Sequence, residues 1–255
     1  IGSMENKGME FTLNTVNIKN IDFSWNTNFN ISFNKSKVLE LKYKPFIDAA
    51  SIPSAGNLVR FAAGQPISSF FGYKYGGVDS ATGEIIYKDL DGNGEFNAGD
   101  RTFIGDPNPD YTFGFTNNFT YKNWYMDVLV TASQGNDIYN ASRFELEMMD
   151  DHKNQSTRVL DRWMNPGDIT NVPKANAANA KISSDRFIED GSFVKLKSVT
   201  LGYNFIKPIK GISKLNVYVT GQNLYTWTNY SGFDPEVNAF ASTNGVLGID
   251  YGTYP

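Results

Sequence analysis

The stretch Asp89-Leu90-Asp91-Gly92-Asn93-Gly94-Glu95-Phe96-Asn97-Ala98-Gly99-Asp100 has the residue types and spacing of a cation-binding loop. Counted from Asp89, oxygen-bearing side chains fall at the first, third, fifth, ninth and twelfth positions: Asp89, Asp91, Asn93, Asn97 and Asp100. Gly94 occupies the sixth position, where the chain must turn sharply, and Glu95 the seventh, where a backbone carbonyl would serve as ligand. Hard oxygen donors gathered round one point suit calcium, so Asp89, Asp91, Asn93, Glu95, Asn97 and Asp100 are the expected metal set. Asp100 is shorter than the glutamate usual at the twelfth position, and would ligate through one oxygen or through water. No helices of the paired helix-loop-helix kind flank the loop. The plainer reading is a Gly-Asn-Gly turn with solvated acids. If calcium binds, its role is structural, cross-linking a loop, because nothing nearby offers a nucleophile or a positioned acid/base pair.

The remaining chemistry is sparse. Cysteine is absent, which removes disulfides, thiolate catalysis and Cys-ligated zinc. The single histidine, His152, lies beside Asp150 and Asp151 and reads as a solvated loop residue. A hydrolase would rest on scattered acids alone, so no catalytic residue is assigned and the chain is not expected to be an enzyme. The net charge of −4 provides no basic field for nucleic acid. No apolar run approaches the roughly 18 residues of a transmembrane helix, which leaves membrane β-barrels open because their hydrophobicity is hidden in alternation. No signal peptide is visible. The chain opens on Ile1-Gly2-Ser3-Met4 as though within something longer, and Gly2-Ser3-Met4 reads either as a cloning scar or as native sequence.

The elements that must position the loop are strands. From Asp110 to Ser133, Tyr111, Phe113, Phe115, Phe119 and Tyr121 share one parity, and Thr112, Gly114, Thr116, Asn118 and Thr120 the other. After Lys122-Asn123 the apolar parity passes to Trp124, Met126, Val128 and Val130, opposite Asp127, Thr131 and Ser133, with Tyr125 and Leu129 as exceptions. This is a hairpin with one greasy and one wet face. Further strands are expected over Glu5–Asn17, Asp22–Asn34, Phe193–Phe205 and Leu215–Trp227. In Asp22–Asn34 the polar face is almost wholly Asn and Ser, which suits a water-filled lumen better than a solvated surface rich in Lys and Glu.

The connections near 18–21, 122–123 and 206–213 are short; 35–109, 134–192 and 229–255 are long. Strict alternation sends every long loop from one rim, as in outer-membrane barrels. Trp25, Tyr121, Trp124 and Tyr125 are expected toward the short-turn rim, and Tyr111, Tyr225, Trp227 and Tyr230 toward the long-loop rim, as two interfacial girdles. Inside the excursions a hairpin is expected between Phe70–Val78 and Glu84–Tyr87, turning at Asp79–Gly83. A helix is expected over Thr157–Met164, with Val159, Leu160, Trp163 and Met164 packed on one face. The fold expected is all-β: an antiparallel transmembrane segment of about six strands, too few to close a wide barrel.

Several blocks resemble the later barrel strands of SusC/RagA-type TonB-dependent transporters of Bacteroidota. They are Gly8-Met9-Glu10-Phe11; Phe23-Ser24-Trp25 with Asn34-Lys35; Phe71-Gly72-Tyr73 with Gly76 and Val78; and the acidic loop followed by Arg101-Thr102-Phe103-Ile104-Gly105-Asp106-Pro107-Asn108-Pro109. Phe193-Val194-Lys195-Leu196-Lys197, Tyr218–Leu224 and Phe233-Asp234-Pro235-Glu236 complete the set. The resemblance implies that residues 1–255 form the C-terminal part of a barrel of about 22 strands, without the TonB box, plug, earlier strands or the final strand expected after Tyr254-Pro255. It implies a cell outer membrane location and import of large polar nutrients, oligosaccharides or peptides. The implied partners are a SusD-like lipoprotein lid, TonB acting through the plug, the rest of the barrel, and outer-membrane lipid. Loops 35–109 and 134–192 would be extracellular, facing lid and substrate; no substrate-contacting residue is assigned. The alternative is a secreted, calcium-stabilised β-sandwich that binds carbohydrate, with the greasy faces packed against a second sheet.

Overall fold

The computed structural model describes residues 2–52, 56–177, 181–240 and 245–252. In chain order, β1 (Gly2–Lys19) and β2 (Phe23–Leu41) form a long hairpin. β3 (Phe46–Ile52), β4 (Gly56–Ala62), β5 (Phe70–Gly72), β6 (Tyr75–Val78), β7 (Ile85–Tyr87) and β8 (Thr102–Gly105) fill the first excursion. The hairpin β9 (Tyr111–Tyr121) and β10 (Trp124–Gln134) follows. Next come β11 (Asp137–Asn140), α1 (Ala141–Glu147) and β12 (Ile188–Asp190), then the hairpin β13 (Phe193–Ile209) and β14 (Ile212–Thr228), and last β15 (Ile249–Asp250).

Six of these strands make one antiparallel wall in the order β1-β2-β9-β10-β13-β14. Its register carries the alternation across every strand. Leu13, Phe29, Phe115, Val130, Leu196 and Tyr225 form one row. On the opposite face Asn26, Asn118, Asp127, Thr200 and Thr220 form another. A slip of one residue anywhere would invert a strand's faces, so the rows are evidence that the pairing is specified. The apolar face has no protein cover among the described residues: Leu13 is 59% exposed and Val219 68%. The second sheet that a sandwich needs is missing there, and the sandwich reading falls with it. β9 and β10 are 11 residues each, close to the roughly 9–11 that cross a bilayer at a tilt.

The tight turns all lie at one rim. Lys122 takes a positive φ of 54°, the backbone that two-residue hairpin turns require. Asn20 Oδ1 accepts from the N–H groups of Asp22 and Phe23 to close the first turn. The third turn is tighter than expected. β13 and β14 continue to the pair Ile209–Ile212, beyond an irregularity between Ile206 and Ile209, so only Lys210 and Gly211 separate the strands. At the other rim β2 stays paired with β1 as far as Leu41 opposite Gly2. The chain therefore leaves the wall after Leu41, not at residue 35.

The long excursions hold the hydrophobic core. Leu58, Val59, Phe70 and Ile104 from the first, Tyr139, Phe144, Met148 and Phe187 from the second, and Val246 and Ile249 from the third pack as one cluster. A four-stranded sheet β3-β4-β5-β8 and a three-stranded sheet β12-β11-β15 frame it. The expected hairpin is present as β6 with β7, but Phe70–Gly72 pairs with β4 and β8 instead. The expected helix over Thr157–Met164 is a single 3-10 stretch, Thr157–Asp161, capped by Ser156. Its apolar residues do not make a buried stripe: Leu160 is 70% exposed, while Trp163 donates its indole N–H to Ser80 and lies across Gly83. The α-helix is instead Ala141–Glu147, capped by Asn140 Oδ1 accepting from Arg143 N–H, with Ala141 and Phe144 buried. Residues 229–240 and 245–252 are loop except for β15; the rest of the loop expected over 229–255, Tyr254 and Pro255 included, lies outside the described residues.

The girdles hold with two corrections. Trp25 stacks on Phe119, and Trp124 meets Tyr203, toward the short-turn rim; Tyr111 meets Phe33, and Tyr225 meets Trp227, at the other. Tyr125 is on the inner face, lying over Gly202 with its hydroxyl donating to Asn216. Tyr230 is buried and donates to Asp250. A small polar cluster interrupts the apolar face. Asn117 Oδ1 accepts from Trp25 Nε1 and Thr27 Oγ1, each at 2.8 Å, satisfying an indole N–H that hydrocarbon could not. Asn117→Leu makes the face more apolar yet strands both donors. Guanidinium unfolding of the full-length protein in vesicles should show a loss of about 1–3 kcal/mol; an unchanged or raised stability would contradict this.

Candidate functional site

The acidic loop is set between β7 and β8 and is stapled from its middle. Phe96 stacks on Tyr87 (4.9 Å, 19°) and against Tyr73 (4.7 Å). Within the loop the acids are organised by backbone N–H groups. Asp89 accepts from Gly92 and Gly94 at 2.7 and 2.8 Å, and Asp91 from Asn93 at 3.1 Å. Asp100 accepts from Leu90 at 2.8 Å and Asn97 at 2.9 Å, closing the loop's two ends together. Gly94 takes a φ of 81°, which a side chain would strain. At Gly99 a Cβ would fall 2.3 Å from Asp91 Oδ2, so bare backbone is what lets that carboxylate in.

One oxygen from each of Asp89, Asp91 and Asp100 lies within 4.8 Å of the others. Asp100 is closed off by its own loop even though the loop stands at the protein surface. The N–H of Asn97, then that of Leu90, holds its carboxyl below the ordinary carboxylate range. Of the expected set, Asn93 and Asn97 line the same loop but spend their oxygens on Glu95 N–H and Gly99 N–H. The Glu95 side chain is exposed and outside the cluster; its backbone carbonyl accepts from Asn97 Nδ2. His152 is exposed, as expected of a solvated residue.

The wall's inner face is a lattice of mostly uncharged donors and acceptors. Asn118 donates to Asp127 (2.6 Å), Asn216 to Asn204 (3.1 Å), and the Thr200 and Thr220 hydroxyls pair at 2.9 Å. At the long-loop rim the third excursion folds across this face. Lys195, fully buried, reaches Asp234 at 2.8 Å and Glu236 at 2.6 Å, and Lys197 reaches Glu236 at 3.0 Å. Two residues apart on one strand, the lysines share a face and so meet one carboxylate. Burial alone would raise the pKa of Glu236; the two ammonium groups outweigh it and hold the pKa below its usual value. Under this clasp a cavity of about 610 Å³ opens between Asn30, Thr112 and Thr131 of the wall and Val237, Asn238 and Leu247 of the loop. The clasp was missed in the sequence, although Lys-x-Lys at a strand start and Asp-x-Glu in a loop are complementary in charge and spacing.

This two-faced wall recurs in known proteins. The chain is 39% identical to TonB-dependent receptor P3 of Formosa agariphila over its whole length, and 30% identical to TonB-dependent receptor SusC of Bacteroides thetaiotaomicron. The chain belongs to the SusC/RagA type of TonB-dependent receptors. A solved structure of the RagAB peptide importer in its "closed-closed" state superposes with a TM-score of 0.80 at 25% identity over 100% of the chain. No protein-family model matches. The chain spans 28% of the length of the Formosa receptor, 25% of SusC and 28% of the superposed RagAB chain. As a SusC/RagA-type segment it is part of an outer-membrane β-barrel, in a family of receptors and transporters rather than enzymes.

For the clasp, Glu236→Gln leaves Lys195 buried with one carboxylate fewer. Hydrogen exchange over residues 229–240 of the full-length protein should accelerate at least tenfold while the wall strands stay protected; unchanged exchange would show that the ion pairs do not hold the loop. The expected tenfold corresponds to about 1.4 kcal/mol, less than the roughly 3–5 kcal/mol for stripping a buried charge of its partner, because Asp234 still pairs with Lys195.

Proposed function

We propose that the chain supplies wall strands and outer loops to a TonB-dependent importer of large polar nutrients, oligosaccharides or peptides. The observation that carries this reading is the wall itself: an apolar outer face, an Asn/Ser/Thr inner face, and long loops gathered on one rim. Uncharged inner-face donors and acceptors suit a hydrated solute, which exchanges water for them at little net cost. The folded excursions, expected as 35–109 and 134–192 and leaving the wall after Leu41 and after Gln134, would face the cell exterior. There they would meet substrate and a SusD-like lipoprotein lid. Residues 1–255 would then be the C-terminal part of the barrel, completed by the protein's other strands and by a plug that engages TonB. The relatives' names support this reading: SusC is a TonB-dependent receptor, and RagAB is a peptide importer.

Two measurements on the full-length protein test it. Purification from outer membranes should bring a surface lipoprotein in equal amount, and deletion of the gene should abolish uptake of a labelled oligosaccharide or peptide. A protein that purifies alone and whose loss changes no uptake overturns the proposal.

We also propose that the Asp89–Asp100 loop takes a calcium ion in a structural role. The donor set supports it: three converging carboxylates whose mutual repulsion is relieved by backbone N–H groups and the Asn93 amide, with a glycine where Asp91 enters. Asp89, Asp91 and Asp100 would hold the ion, with the Glu95 carbonyl and Asn93 or Asn97 as further oxygens. Calcium should raise the Tm of the full-length protein, and Asp91→Ala should abolish that rise while leaving the metal-free Tm within a few degrees. An identical calcium response in the variant removes the site.

A further inference from the structure

The short-turn rim carries charge of one sign. Lys19, Lys122, Lys207, Lys210 and Lys214 stand in or beside the three tight turns, all exposed, and the acid among them is Asp22. Five positive charges against one negative leave a local excess of four, in a chain whose overall charge is −4. Among the described residues none of the five lysines has a carboxylate partner; the ion pairs lie elsewhere, mostly in the folded loops. The next acid along these strands, Asp127, is on the inner face and is held by Asn118. Lysines left unpaired at one level of a membrane protein mark the plane where phosphate headgroups lie.

A second observation lies directly inside this rim, on the apolar face. Trp124, Leu201, Tyr203, Phe205, Val217 and Val219 line an open groove of about 610 Å³. Its aromatic wall is ordered edge to face: Trp124 on Tyr203 at 4.8 Å and Tyr203 on Phe205 at 4.6 Å. Trp124 is 49% exposed and Val219 68%, with no protein over them. The groove lies on the strands joined by the turn that holds Lys210.

We propose that this rim selects a glycerophospholipid with a net negative headgroup from the leaflet on the short-turn side. One acyl chain lies in the groove, and Lys122, Lys207 and Lys210 hold the headgroup. The long lysine stems lie along the apolar surface and carry their ammonium groups to the phosphate plane. A zwitterionic headgroup brings its own cation into the same field and gains less. Because the lysines are exposed, the selectivity weakens as salt shortens the screening length to about 8 Å and below. The proposal rests on the outer-membrane placement of the wall and not on import, so the two can fail separately.

The test uses the full-length protein in phosphatidylcholine vesicles containing either brominated phosphatidylglycerol or brominated phosphatidylcholine at equal mole fraction. Quenching at Trp124 is read as the difference between the protein and its Trp124→Phe variant. Brominated phosphatidylglycerol should bind about fivefold better, equivalent to the full share of about one lysine near an anionic surface, and the preference should shrink with added salt. Combined Lys122→Gln, Lys207→Gln and Lys210→Gln substitution should bring the two lipids to parity, whereas arginine at the same three positions should keep the preference. Equal quenching by both lipids in the unsubstituted protein overturns the proposal. So does a preference that survives the glutamine substitutions, or one lost on replacement by arginine.

Discussion

A strand in hydrocarbon has nowhere to place its N–H and C=O groups except on another strand. That constraint shapes the whole chain. It demands long paired ladders, and the pairing in turn fixes which side chains meet lipid and which meet water. Leu13, Phe29, Phe115, Val130, Leu196 and Tyr225 line up because five successive strand pairings keep register. The same demand extends to side chains. Trp25 faces outward with an indole N–H that needs an acceptor, and Asn117 supplies one from the neighbouring strand. A polar residue on a lipid-facing row is then a satisfied pair, not a fault in the pattern.

With the wall's apolar face given to lipid, the chain has to find its protein core elsewhere. It finds it in the three excursions, which pack Tyr139, Phe70, Phe144 and Ile249 into one cluster above the long-loop rim. This inverts the usual economy of a β protein, in which the sheets carry the core and the loops hang from it. The cap is tied back to the wall by charge: Lys195 and Lys197 rise from β13 to meet Asp234 and Glu236. Its outer hairpin is tied to the acidic loop by Phe96 lying on Tyr87 and Tyr73. The core cluster and the clasp join residues far apart in sequence, so the loops are held by one another as much as by their own strands.

The wall was legible in the sequence because its signal is local. Period-2 alternation, Asn and Ser on one parity, and short connections alternating with long ones fix strands, faces and rims without knowledge of any distant contact. Strand ends were less legible. β2 runs on to Leu41 because Gly2–Lys7 is there to pair with it, which no reading of residues 35–41 alone reveals. The cap was mostly illegible for the same reason. The apolar spacing of Val159, Leu160, Trp163 and Met164 suggested a helix, but Trp163 is spaced to reach Gly83, eighty residues earlier. The true helix is a short one whose Asn140 cap and Ala141–Phe144 spacing were present but brief. In the acidic loop the spacing correctly foretold that Asp89, Asp91 and Asp100 converge. It did not foretell that Asn93 and Asn97 turn their oxygens to neighbouring N–H groups, since such local bonds compete with any ligand.

The central claim is the assignment of the two faces, and it is directly measurable, since these 255 residues carry no cysteine of their own to compete with an introduced one. Nitroxide labels placed through single-cysteine substitutions at residues 112 to 119 of the full-length protein in vesicles report their surroundings by collision with oxygen or with a water-soluble nickel chelate. Labels at Phe113, Phe115 and Phe119 should favour oxygen, and those at Thr112, Thr116 and Asn118 the chelate, alternating residue by residue. Absence of alternation, or the opposite phase, would contradict a wall with lipid on its aromatic face and water on the other.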